Sequence, residues 1–162
     1  MRLFILTVIS AIFATSCGLR PVYGNATDGS GPISVSQIDG RTGHRVRQEL
    51  ALSLSSGLPG VAPGARLETS LDEKLTRLPL KPDDGVSRSS YDVEAKYRLY
   101  SADGELLAKG TTYAAANFDS TTSSYGDIAL QTDARERVGR TVARRIREQL
   151  ILDLSQTAEQ TD

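Results

Sequence analysis

The stretch SYDVEAKYRLYSADGELLAKGTTYAAANF, residues 90–118, has the strongest β-strand pattern in the chain. One side of its first half carries apolar and aromatic residues, namely Tyr91, Val93, Ala95, Tyr97 and Leu99. The other side carries charged residues, namely Asp92, Glu94, Lys96 and Arg98. This alternation predicts a strand that is buried on one face. The tetrapeptide ADGE at 102–105 then predicts a hairpin turn into a second strand.

A strand and a helix are predicted near the start of the globular part of the chain. Residues 33–39, ISVSQID, alternate as a half-buried strand does, with Ile33, Val35 and Gln37 on one side. Residues 41–57 follow with apolar residues at helical spacing, namely Val46, Leu50 and Leu54. Gly57 is placed to end that helix, because glycine is common just past the last helical residue.

Another strand and a loop are predicted between this helix and the hairpin. Residues 65–75 alternate, with Leu67, Thr69 and Leu71 on one face, and this pattern predicts a strand. Residues 78–85, LPLKPDDG, contain prolines and an Asp-Asp-Gly run, which favour a loop.

The last segment, about 124–154, is predicted to be one long helix. An apolar residue recurs at every fourth position and forms a single stripe, namely Leu130, Ala134, Val138, Val142, Ile146, Leu150 and Leu154. The resulting order, β-α-β-β-β-α, predicts an α+β fold in which two helices pack on one face of a four-stranded, mostly antiparallel sheet. The other face is expected to be polar and solvated. This domain is expected to span 33–155, followed by a disordered tail at 156–162.

Composition sets limits on the class of protein. The chain has 162 residues, of which 39% are hydrophobic and 24% charged, as expected for one globular domain. A net charge of -1 argues against nucleic acid as a partner, because nucleic-acid-binding domains usually carry a positive excess. A single cysteine excludes a disulfide within the chain, so the fold must depend on its apolar core.

The N-terminus has the pattern of a lipoprotein signal peptide. Residues 3–14, LFILTVISAIFA, are apolar but too few to span a bilayer as a helix. Small residues follow, and the only cysteine, Cys17, comes next, which resembles the lipobox of bacterial lipoproteins. We therefore predict a signal peptide at 1–16, cleavage between Ser16 and Cys17, and an N-acyl diacylglycerol group with palmitate-type chains on Cys17. Residues 17–32 would form a lipidated, flexible tether. The alternative is an ordinary signal peptide with a cysteine near the cleavage site.

Residues suited to catalysis are scarce in this sequence. His44 is the only histidine, so a zinc site with two histidines is not available. There is no Gly-x-Ser-x-Gly elbow, phosphate-binding loop or dinucleotide fingerprint. We therefore expect no catalytic residues, no metal and no cofactor other than the covalent lipid, and we predict that the protein is not an enzyme. His44 is expected to lie on a solvated helix surface.

Arginines concentrate in the last predicted helix, namely Arg135, Arg137, Arg140, Arg144, Arg145 and Arg147. Asp133 and Glu136 precede Arg137 and Arg140 by four residues, the favourable spacing for ion pairs on a helix. The last three arginines have fewer acidic neighbours. Two interpretations stay open, a solvated helix face, which we favour, and a binding surface for an anionic partner.

The motif CGLRPVYG, residues 17–24, resembles the mature N-terminus of the LPS-assembly lipoprotein family, LptE. The predicted element order and the long final helix also resemble that family. The resemblance implies a lipoprotein that is anchored at the periplasmic face of the outer membrane and acts as a plug inside an LptD-type β-barrel. It further implies that the protein supports barrel assembly and delivery of lipopolysaccharide to the cell surface. Gly18 agrees with this location, because aspartate at that position commonly retains lipoproteins at the inner membrane.

The resemblance also implies contact with lipopolysaccharide through basic loop residues at the sheet edge. The corresponding loop here reads KPDDG, with Asp83 and Asp84 in place of basic residues, so Lys81 and Arg88 are the nearest candidates for ligand binding. Two other classes remain as alternatives. One is an auxiliary lipoprotein subunit of another envelope lipid-trafficking transporter, and the other is a small periplasmic hydrolase.

Overall fold

The computed structural model describes residues 31–78, 87–120 and 123–159. The elements follow one another in the order β-α-β-β-β-α, which confirms the predicted fold class. They are β1 (Ser34–Val35), α1 (Gly40–Ser53), β2 (Arg66–Leu78), β3 (Ser87–Tyr100), β4 (Leu106–Ser120) and α2 (Ser124–Glu159). The predicted signal peptide, Cys17 and Lys81 lie outside the described residues.

The four strands form one mixed sheet in the order β1-β2-β3-β4. β2, β3 and β4 pair antiparallel, and β1 pairs parallel to β2. Val93, at the centre of β3, lies opposite Glu73 on one side and Ala114 on the other. The ADGE segment forms the turn between β3 and β4, as predicted, with Ser101 N donating to Glu105 O at 2.8 Å.

The core lies between the two helices and one face of the sheet. From the predicted stripe of α2, five residues from Ala134 to Leu150 are buried, while Leu130 and Leu154 are partly buried at its ends. α1 contributes Val46 and Leu50 to the same cluster, and Leu54, directly after the end of α1, joins them. In β3 the odd-numbered residues from 91 to 99 are all buried, as the alternation predicted.

The first strand is much shorter than predicted. Only Ser34 and Val35 pair with β2, followed by one further hydrogen bond from Ser36 N to Leu67 O at 2.9 Å. The chain then leaves the sheet to begin α1 at Gly40, so the alternation stops. As a result Ile38 enters the core and Gln37 is exposed, and the predicted placement of Gln37 beside Ile33 and Val35 was wrong.

Both helices end at positions that differ from the prediction. α1 ends at Ser53, and Gly57 lies in the following turn with φ of 76°, a conformation that favours glycine. α2 continues to Glu159, beyond the expected end at Leu154. Residues 156–159, which the sequence had assigned to a disordered tail, therefore belong to α2.

Gly110 provides space for a buried tyrosine. It lies directly opposite Tyr97 on the helix-facing side of the sheet, and a Cβ atom at Gly110 would overlap the Tyr97 ring. Tyr97 therefore extends across β4 and donates from Oη to Oδ2 of Asp153 on α2 at 3.4 Å. Burial, reinforced by the Asp153 carboxylate, raises the pKa of Tyr97 to about 12.

Candidate functional site

Of the two predicted ligand-binding residues, only Arg88 lies in the described part of the chain. Lys81 lies outside the described residues. Arg88 lies near the start of β3 and is exposed, with its Nε atom 3.9 Å from Oδ1 of Asp119 on β4. An exposed ion pair of this length contributes little to stability, so the Arg88 side chain is available to another anion.

The outer face of the sheet is a broad polar surface. The outer face consists of the side chains of β2, β3 and β4 that point away from the helices. These are the even-numbered residues of β2 and β3 and the odd-numbered residues of β4 from 109 to 119. Charges of both signs are interspersed on it, with short ion pairs such as Arg66–Glu68 at 3.0 Å and Lys96–Glu94 at 3.3 Å. The surface is therefore suited to a wet environment or to a polar partner.

The strand register places like charges next to one another on the outer face. Arg98 lies directly opposite Lys109 on β4, and Asp72 lies directly opposite Glu94. Like charges in directly opposed positions destabilise a sheet, so these pairs make no contribution to folding. Arg98 and Lys109 form a small basic patch and Asp72 and Glu94 a small acidic patch. Each patch has one opposite charge beside it, Glu68 opposite Arg98 and Lys96 at 3.3 Å from Glu94.

A shallow depression marks the edge of the outer face where β1 ends. Its lining combines Ser36 and Gln37 with side chains of β2 and with Lys96 and Arg98 of β3. The depression exists because β1 leaves the sheet after two residues. Past that point, none of the described strands lies beside this edge of β2.

A cluster of hydrogen-bonded side chains joins α1 to the sheet. Thr42 of α1 donates from Oγ1 to Oε2 of Glu73 at 3.0 Å and lies 3.1 Å from Oη of Tyr91. The Tyr91 hydroxyl donates to the same Glu73 carboxylate. Arg135 of α2 covers the Tyr91 ring, with its Cζ atom 5.3 Å from the ring centre. Burial, together with the hydrogen bond to Glu73, raises the pKa of Tyr91, so this hydroxyl keeps its proton.

The sequence pattern does not predict this cluster, although one residue of it is unusual for its position. Glu73 occupies a helix-facing position in the alternation of β2, between Leu71 and Leu75. A carboxylate on the helix-facing side of a strand points towards polar partners there, and Thr42 and Tyr91 hydrogen-bond to the exposed Glu73 side chain.

We predict that Tyr91→Phe lowers the free energy of unfolding by about 1–2 kcal/mol, because it removes a donor from Glu73 and a partner from Thr42. Urea unfolding followed by circular dichroism measures the change. Tyr113→Phe is the matched control, because Tyr113 is 54% exposed on the outer face. Equal effects of the two substitutions would show that the cluster does not contribute.

The arginines of α2 form more ion pairs and hydrogen bonds than either interpretation of the sequence predicted. Arg137 and Arg140 pair with Asp133 and Glu136, as predicted, at 2.8 and 3.5 Å. Arg144 lies 3.9 Å from Glu148, so it does have an acidic neighbour.

Three arginines of α2 also donate to backbone carbonyl groups. Arg137 reaches Asn117 O at 3.3 Å, and Arg145 reaches Tyr113 O. Arg147 reaches Ser53 O, at the end of α1, at 3.3 Å. These side chains therefore fasten α2 to the outer strand β4 and to α1.

His44 is exposed on α1 and lines a cleft of about 220 Å³ between the helices, together with Arg41, Arg45 and Arg135. Within the described residues, no group of three or more His, Cys, Asp or Glu side chains could hold a metal ion. No helix in the described ranges is both long and apolar enough to cross a membrane.

Comparisons with known proteins yield matches only among solved structures. No family model and no curated protein matches the chain. The fold resembles a protein from Caulobacter crescentus CB15 described as a lipoprotein, with 25% identity and a TM-score of 0.65 over 82% of this chain and 98% of that chain. A minor lipoprotein from Acinetobacter baumannii matches at 12% identity with a TM-score of 0.55, over 76% of this chain and 92% of that one.

These comparisons differ in what they support. The similarity to the Caulobacter crescentus protein, which extends over nearly all of that chain, supports a lipoprotein family for this protein. The match to the Acinetobacter baumannii protein supports the fold alone. Rare lipoprotein B from Shewanella oneidensis matches 80% of this chain and 96% of its own at 13% identity, but a TM-score of 0.49 is too low to carry an argument.

Proposed function

We propose that this protein is an outer-membrane lipoprotein, anchored on the periplasmic side by an N-acyl diacylglycerol group on Cys17, that serves as the plug subunit of an LptD-type β-barrel. In this role it supports assembly of the barrel and delivery of lipopolysaccharide to the cell surface. It has no enzymatic activity and needs no cofactor. The proposal combines the CGLRPVYG motif with the similarity to a lipoprotein of known structure.

The observation that carries the proposal is the outer face of the sheet. The lumen of an outer-membrane barrel is polar and wet, so a plug needs a polar surface of mixed charge. The outer face is such a surface. The side chains of Arg66, Arg88 and Lys96 on it are each more than half exposed. Its like-charge neighbours, Arg98 beside Lys109 and Asp72 beside Glu94, favour a partner with patches of opposite sign.

Lipopolysaccharide is an anionic ligand, and contact with it is part of the proposal. Arg88 is exposed at one end of the sheet, and Lys81 precedes it in the chain. Arg98 and Lys109 supply further positive charge on the outer face. These four residues are the candidates for contact with phosphate groups.

Depletion of the protein tests the function directly. We expect mature barrel and surface lipopolysaccharide to fall together, because both depend on the plug. Immunoblotting of the barrel and surface labelling of lipopolysaccharide measure the two quantities. Normal levels of both after complete depletion would reject the assembly role and favour a subunit of another lipid-trafficking transporter.

Variants expressed in the depleted cells refine the test. His44→Ala, Asp92→Ala and Glu94→Ala should each restore growth, because interface energy concentrates in a few buried anchors and not in single exposed charges. Reversal of the basic patch by Arg98→Glu with Lys109→Glu should reduce the barrel that co-purifies. Arg140→Glu with Arg144→Glu, on the exposed side of α2, is the matched control. Equal losses in the two double variants would argue against the outer face as the contact surface.

A further inference from the structure

Among the described residues, β2 has a long unpaired edge, which we call the free edge. β1 pairs with it only at Arg66 and Leu67, whereas β2 continues to Leu78. Ser34 N donates to Ala65 O and Ser36 N to Leu67 O, so odd-numbered residues point their backbone groups to this side. By the alternation of a strand, five further residues present N–H and C=O groups outward, namely Thr69, Leu71, Glu73, Leu75 and Arg77. None of the described residues pairs with them.

The opposite edge of the sheet, on β4, is partly covered by side chains of α2. On β4, arginine side chains of α2 occupy the carbonyl groups of Asn117 and Tyr113. Proteins commonly block a sheet edge in such ways, because an open edge is a template for another strand. No described side chain donates to the backbone groups of β2 in this way, so among the described residues these groups are open to an added strand.

The free edge determines which register an added strand would take. Its five outward residues are symmetric about Glu73. Two copies of the chain that pair antiparallel with Glu73 facing Glu73 use all five residues on each strand. Leu71 then lies opposite Leu75 of the second copy, and Thr69 lies opposite Arg77. The pairing ends before Leu67, where β1 occupies the edge, so the short first strand does not obstruct it.

The charges of β2 match in the same register. Asp72 lies opposite Lys74 of the second copy, and by symmetry this pair occurs twice on the outer face. A shift of one copy by two residues places Asp72 opposite Asp72 or Lys74 opposite Lys74, which is unfavourable. Glu73 faces Glu73 of the second copy on the symmetry axis, so this register also contains one like-charge contact, as each shifted register does. Only the symmetric register gains the two Asp72–Lys74 pairs in addition.

We propose that the free edge of β2 is a self-association surface, where two copies of this protein pair their β2 strands antiparallel about Glu73. A second copy fits because the strand to be added needs apolar residues beside Leu71 and Leu75, a cation beside Asp72 and an anion beside Lys74. β2 itself has that pattern in reverse. A contact confined to one strand is small, so the dimer is weak and depends on concentration. The proposal does not depend on the proposed function, and it concerns copies of the protein that are not inserted in a barrel.

Disulfide cross-linking of the full-length protein in membranes tests the register. Asp72→Cys and Lys74→Cys are co-expressed on copies with different tags. Their Cα atoms would be about 4.5 Å apart as a non-hydrogen-bonded pair, within the range of a disulfide. Glu94→Cys with Lys96→Cys is the matched control, because these residues have the same charges and spacing on β3, whose two edges are both paired. A cross-link in the first pair alone supports the proposal. Its absence, or an equal cross-link in the control, overturns it.

Exchange of the charges provides a second test on the purified full-length protein in mild detergent. By sedimentation equilibrium, Asp72→Lys should weaken the dimer about tenfold, because two Lys–Lys contacts replace two ion pairs. The double variant Asp72→Lys with Lys74→Asp should restore it. Asp133→Lys, on the exposed side of α2, should leave it unchanged, and circular dichroism verifies that all variants are folded. A monomer at every concentration, or a dimer that the exchange does not alter, would reject the edge as the surface of association.

Discussion

Val142→Asp is expected to destabilise the fold by several kcal/mol and to lower its Tm strongly. Val142 is fully buried at the centre of α2, in the cluster that joins both helices to the sheet. A carboxylate at this position would lose its hydration without gaining a partner, which costs several kcal/mol. Domains of this size are stable by only about 5–15 kcal/mol, so the loss removes much of the margin.

Thermal unfolding followed by circular dichroism measures this effect. Ala129→Asp is the matched control, because Ala129 lies on the same helix but is exposed. We expect a large fall in Tm for the first variant and little change for the second. An unchanged Tm for Val142→Asp would mean that α2 packs through a different face.

Cys17→Ala is expected to abolish acylation and to release the protein from membranes. The motivating observation is the single cysteine that follows a short apolar segment and small residues. Several acyl chains on one residue form a stable anchor, since each buried CH₂ group contributes about 0.8 kcal/mol. Loss of the thiol removes all of them at once.

Membrane fractionation and metabolic labelling with palmitate measure the release and the loss of acylation. Ser16→Ala is a suitable control, because it changes the adjacent residue and retains the thiol. A Cys17→Ala variant that stays bound to membranes when the barrel is absent would show that another feature anchors the protein.

The fold could be predicted to a large extent from the sequence. Strict alternation over 91–99 is compatible only with a strand that has one face in the core, and every odd-numbered residue of that segment is buried. The stripe of α2 follows from spacing in the same way. Such long patterns are reliable because a shift of one residue would expose the whole apolar set.

Short elements were predicted less well. The sequence placed Gln37 in a strand, but the strand ends before it and Ile38 is buried. A segment this short offers only a few positions to define a pattern. Its end depends on where α1 must begin in order to cover the sheet.

The candidate site depends even more on contacts that are distant in sequence. Glu73 could be identified as unusual from its place between Leu71 and Leu75, but its partners Thr42 and Tyr91 are 31 and 18 residues away. The like-charge neighbours Arg98 and Lys109 become adjacent only when β3 and β4 adopt their register.

Local periodicity in the sequence alone thus determined the element types, the element order and the core face of each long element, while the lipid anchor stays a prediction from the motif around Cys17. The tertiary structure decided which strand edge is unpaired among the described residues, which arginines donate hydrogen bonds to carbonyl groups of β4, and which like charges lie next to one another. The physical reason is the distance along the sequence over which each interaction acts. Alternation and helical spacing act between residues a few positions apart, whereas strand register and edge coverage depend on how whole elements are arranged in space.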